Sequence, residues 1–117
     1  MPFRVINAGN GRILADRAEE ATGFFYRLRG LMGRRRFDSG EALHIVPCRA
    51  IHTFFMRVEI DAAFLDGAAR VIKAVPHLPP WRTTRVVFEA RSVLELPSGT
   101  LAATDTGEGD ELRFELC

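Results

Sequence analysis

Turn signals recur along this chain at intervals that suit strands and leave little room for helices. Gly9-Asn10-Gly11, Asp66-Gly67, Pro97-Ser98-Gly99 and Glu108-Gly109-Asp110 each separate runs rich in Val, Ile, Leu and Phe. Asn, Asp and Gly supply the positive backbone angles that tight hairpins demand. Nothing in the chain alternates strands with helices in a βαβ rhythm, which argues against a parallel, doubly wound sheet. The expected fold is mainly β, bordering on α+β. It is a small sandwich or partly open barrel of about seven or eight short strands with one helix in the amino-terminal half.

The segments read as follows. Phe3–Asn7 and Arg12–Ala15 form strands around the Gly9-Asn10-Gly11 turn. Asp16 resembles a helix N-cap with Glu19 three residues on, the spacing of a capping box. Ala18, Ala21, Phe25, Leu28 and Met32 then follow a helical stripe that Gly30 or Gly33 ends. Ala42–Val46, Ala62–Leu65, Arg70–Val75, Arg85–Phe88, Ser92–Leu96 and Leu112–Leu116 are expected strands, and Pro76–Pro80 a loop carrying His77. Ile51–Met56 is extended or irregular.

A chain of 117 residues is long enough for one domain, residues 1–117, with a core of its own. The net charge of +1 gives no general drive toward nucleic acid or an anionic membrane, so neither is expected as a partner. The charge is uneven, however: residues 101–117 hold five acids against Arg113 alone. Two cysteines are too few for a disulfide framework, and Cys48 and Cys117 read as thiols. With no long apolar stretch near the amino terminus, a cytoplasmic location is expected, as a monomer or weak dimer.

Chemically capable residues crowd into Cys48–Met56 and the following Ile60–Asp66. His44, Cys48 and His52 are spaced by four, which would suit zinc, but Pro47 interrupts the run. No metal or other cofactor is therefore expected. His52 beside Thr53, with Asp61 downstream, permits acid–base chemistry. Glu95 lies among leucines and needs a partner if covered, with Arg29, Arg57 and Arg82 as candidates. Phe54, Phe55, Met56 and Trp81 supply an aromatic and apolar wall. The arginines at 27, 29 and 34–36 complement the carbonyl end of the expected helix.

Arg29-Gly-Leu-Met-Gly-Arg34, Ile51-His-Thr-Phe-Phe-Met56, Ile60-Asp61, Phe64-Leu-Asp66, Pro80-Trp-Arg82, Val93-Leu-Glu-Leu-Pro97 with Gly99, and Gly109-Asp110 together resemble the signature of the DUF192 family. The resemblance runs from about Ala18 to the end. It implies a mostly β sandwich or barrel with a small helical part. It places Arg29, His52, Thr53, Met56, Asp61, Glu95 and Gly99 at signature positions, and implies no activity.

The leading expectation is a binding module for a small polar ligand, sugar-like or carboxylate-bearing. Its site would draw on His52, Thr53, Phe55, Met56, Asp61, Trp81, Glu95 and Arg29. The alternatives are a hydrolase or lyase centred on His52, and a protein-interaction surface built on Phe54, Phe55 and Trp81.

Overall fold

The computed structural model describes residues 2–22 and 33–116. Strands β1 (Phe3–Asn7), β2 (Ile13–Ala21), β3 (Gly40–Ile45), β4 (Ile60–Leu65), β5 (Val71–Leu78), β6 (Ser92–Pro97) and β7 (Leu112–Leu116) form one curled sheet, with a single-turn helix α1 (Thr100–Ala103) after β6. The order across the sheet is β5-β4-β6-β3-β2-β1-β7. Only β2 and β3 run parallel; the other neighbours are antiparallel. This is the partly open barrel among the expected folds; among the described residues its one helix is α1, in the carboxy-terminal half and not where a helix was expected.

Its two edges meet at one end. Arg70 bridges Glu111, the Val71 N–H donates to the Asp110 carbonyl at 2.8 Å, and the Gly109 N–H donates back to Val71 at 2.8 Å. Backbone groups that an open edge would expose are satisfied there. Buried Asn7 supports the same corner: its amide donates to Thr106 and Asp110, and its oxygen accepts from Gly9 N–H.

Strand alternation divides the core in two. Ala63, Leu65, Leu94 and Leu96 turn to the inner face with Phe3, Val5, Leu14, Val71, Leu101 and Leu112. Ala62, Phe64 and Val93 turn outward, where Ile51, Met56, Leu78 and Ala90 cover them. Every residue of β4 is therefore buried. The long connections after β3 and β5 form the outer cover.

Three expectations need correction. Asp16 caps no helix, because Ile13–Ala21 is strand throughout. The three-residue spacing of Ala15, Ala18 and Ala21 imitates a helical stripe for another reason. A register shift between the Val5↔Ala15 and Phe3↔Ala18 pairs brings both alanines to the inner core. Ala21 is buried as well, opposite Ile45. The rest of the expected helix (Phe25, Leu28, Met32, Gly30 and the arginines 27 and 29) lies outside the described residues. Pro76 and His77 belong to β5, not to a loop; an edge strand tolerates a residue without an N–H. Arg85–Phe88 makes no regular strand, and only Thr83 bridges, to His52.

Candidate functional site

Two loops interlock over the outer core through Thr53, which is fully buried. Its N–H donates to the Arg82 carbonyl at 2.8 Å, and its carbonyl accepts from Trp81 N–H at 3.0 Å and from Met56 N–H at 3.2 Å. Its hydroxyl donates to the Pro79 carbonyl at 2.7 Å and accepts from Arg82 N–H at 2.8 Å. One side chain thus spans the first and last residues of the turn Pro79–Arg82. Its backbone closes the turn Thr53–Met56.

Both turns place an aromatic residue where glycine is cheapest. Phe55 and Trp81 are the third residues of their turns, and each has φ of 64°. Positive φ at that position is the type II requirement, normally met by Gly or Asn. Side chains there strain the backbone by roughly 1–2 kcal/mol each. Yet Phe55 is 59% and Trp81 55% exposed. Their ring centroids are 4.8 Å apart. Phe54 lies 5.9 Å from Trp81 and stacks on His52 at 5.2 Å. The result is a surface cluster of four rings. His52 Nδ1 accepts from Phe54 N–H at 3.2 Å, which leaves Nε2 as the protonated nitrogen of the neutral ring.

The remaining expected site residues go elsewhere. Met56 is buried in the outer core. Asp61 lies on the opposite, inner face, its neighbour across the strands being Leu96. Its two oxygens accept from His77 N–H and Leu101 N–H, both at 2.9 Å, so it anchors β5 and α1 to β4. Glu95 faces outward with Ala62 and Val93, 3% exposed, and Oε1 has no hydrogen-bond partner. Burial raises its pKa to about 8. Neither Arg57 nor Arg82 pairs with it, and Arg29 lies outside the described residues. The structure thus brings together His52, Phe55 and Trp81, joins Phe54 to them and sets Thr53 beneath; it does not bring Asp61 or Glu95 into that group.

His44, Cys48 and His52 also separate. His44 is enclosed on the inner face by Phe3 and Phe114, neither ring nitrogen is hydrogen-bonded, and desolvation lowers its pKa to about 4. The Cys48 thiol donates to the Ala50 carbonyl. Among the described residues no three His, Cys, Asp or Glu side chains converge as a metal site requires.

A polar cluster escaped sequence reasoning because its members are distant in the chain. Ser98 Oγ donates to Glu59 Oε1 at 2.6 Å, and His77 Nδ1 lies 2.7 Å from Ser98 Oγ and 3.1 Å from Glu59. The hydrogen bond from Ser98, then that from His77, holds the Glu59 carboxyl below its usual range. Serine and carboxylate share one imidazole nitrogen, so the group lacks the relay geometry of a hydrolytic triad. A separate cleft of about 290 Å³, lined by Arg17, Glu19, Arg34, Glu41, Ala42 and Leu43, lies over β2 and β3. There Arg34 pairs with Glu41 at 2.7 Å.

Fold and site together define a small β half-barrel carrying an exposed aromatic cluster on two crossed loops. Residues 5–114 match DUF192, described as an uncharacterized ACR, and the chain belongs to that family. It is similar to a UPF0127 protein of Thermococcus sibiricus, 31% identical over 96% of this chain and 75% of the relative. A UPF0127 protein of Pyrococcus abyssi is 32% identical, covering 94% of this chain and 96% of that one. A crystal structure of a protein of unknown function from Novosphingobium aromaticivorans superposes with a TM-score of 0.83 at 19% identity, covering 97% of this chain and 84% of that one.

Proposed function

We propose that this protein is a binding module whose platform of His52, Phe54, Phe55 and Trp81 stacks against the ring of a small, sugar-like polar ligand. The observation that carries this is the pair of exposed aromatics held at positive φ by Thr53. Strain of this kind persists where surrounding structure enforces it, and it concentrates at functional sites. Flat aromatic faces lie against apolar ring faces, while His52 Nε2–H and the exposed Thr83 hydroxyl beside it hydrogen-bond the ring substituents. A His52-centred acid–base site has less support, because Asp61 is committed to two backbone N–H groups on the other face and Glu95 is enclosed.

The test is a thermal-shift panel of neutral and acidic oligosaccharides against the wild type and Trp81→Ala. Stabilisation of the wild type by a panel member, absent in the variant, supports the platform. A panel in which nothing stabilises the wild type, or in which the variant responds equally, removes it.

A further inference from the structure

The charge around the platform is one-sided. Four arginines and no acid fall in segments 47–58 and 79–88, and exposed Glu59 and Glu89 follow them directly. These arginines, at 49, 57, 82 and 85, are exposed. Among the described residues none of the four meets a carboxylate within 4.0 Å; Arg12, Arg35, Arg70, Arg91 and Lys73 share this elsewhere on the chain, whereas Arg4, Arg17, Arg34, Arg36 and Arg113 are paired. Arg49 and Arg82 reach only backbone carbonyls.

The geometry makes this a strip. Segment 82–87 runs antiparallel to 49–53 through the Thr53–Arg82, Ile51–Thr84 and Arg49–Val87 backbone bonds. The pairing is irregular, with His52 and Thr83 in an isolated bridge, so its five residues span at most about 17 Å. Trp81 lies at one end, and exposed Val86 and Phe88 lie at the other. Unpaired guanidinium groups beside exposed rings are complementary to a ligand with both anionic groups and flat apolar faces.

Resting on the platform proposed above, we infer that its ligand is a short acidic oligosaccharide, a few rings long and carrying carboxylates. The rings stack on Trp81 and Phe55, and Arg82 and Arg85 pair with the carboxylates. A short ligand fits better than a single-stranded nucleic acid. The positive strip is brief, exposed Glu59 and Glu89 follow its two segments directly in the chain, and a longer polyanion running beyond it meets those carboxylates.

The probes are a galacturonic acid trimer, the uncharged trimer maltotriose and a single-stranded thymidine octamer, titrated by calorimetry into the whole chain and into Arg82→Gln/Arg85→Gln. The expected result is binding of the acidic trimer about tenfold tighter than maltotriose, weakening as salt rises. In the double variant that difference disappears while the unfolding temperature stays that of the wild type. Equal affinity for both trimers overturns the acidic preference and leaves the platform standing. Failure of both trimers overturns both proposals. Tighter binding of the octamer than of the acidic trimer replaces the oligosaccharide with nucleic acid. An unchanged preference in the double variant removes Arg82 and Arg85 from the site.

Discussion

Thr53 is the residue on which the loop geometry turns. Its hydroxyl has a donor on one side and an acceptor on the other, and no water reaches it. Thr53→Val keeps the shape and strands both Arg82 N–H and the Pro79 carbonyl. The expected cost is about 2–3 kcal/mol in denaturant unfolding, while Thr53→Ser recovers most of it. Phe55 offers the opposite experiment. Phe55→Gly removes a ring that is mostly in solvent and relieves a positive φ, so stability should stay within about 1 kcal/mol of the wild type. Binding should fall at the same time. A loss of several kcal/mol in urea unfolding would show that the ring is structural.

Among the elements, the hairpin β4–β5 was legible, because Asp66-Gly67 announces its turn and Asp66 Oδ1 accepts from Ala68 and Arg70 N–H. The alternation of Leu112, Phe114 and Leu116 likewise marked β7, and Val93–Leu96 marked β6 with its buried acid. Local pattern misled where tertiary pairing overrode it. The bulge in β2 turned alternation into a spacing of three, and Arg85–Phe88 lost its ladder to a single bridge. The conversion of Pro76 and His77 into strand depends on an edge position that sequence does not record. Helix α1 was also missed; its four residues follow Gly99 at φ 91°, and its Leu101 N–H is held by Asp61 from another strand. That tie predicts a local effect. Asp61→Asn faces one of its two backbone donors with an amide donor. It should cost about 2–3 kcal/mol and speed hydrogen exchange at the Leu101 and His77 amides before the β1–β2 amides. Uniform acceleration would contradict it. Of the candidate site, His52, Phe55 and Trp81 come together, because their loops are linked through Thr53. Asp61 and Glu95 could not be placed from sequence, since neighbouring strands put them on opposite faces.

For the whole molecule, two enclosed ionisable groups shape stability in opposite directions. His44 has a folded pKa near 4, below its usual 6.5, so its contribution is complete above pH 6.5 and is lost as pH falls toward 4. Glu95 has a folded pKa near 8, above its usual 4.5, so its contribution is complete below pH 4.5 and is lost as pH rises toward 8. The two slopes oppose each other between pH 4.5 and 6.5. Above pH 6.5 only the Glu95 slope continues, and stability should fall by about 2 kcal/mol by pH 8. Glu95→Gln should abolish that fall and show the His44 slope alone below pH 6.5. Denaturant unfolding of both proteins across this range checks it; parallel profiles would contradict the assignment.

The chain has one tryptophan, Trp81, so intrinsic fluorescence reports on the platform itself. Titration with a galacturonic acid trimer should produce a saturable change in Trp81 emission in wild type and in Glu95→Gln alike, with a smaller amplitude in Phe55→Gly. Calorimetric binding that leaves the emission unmoved would put the ligand elsewhere on the half-barrel and contradict the account.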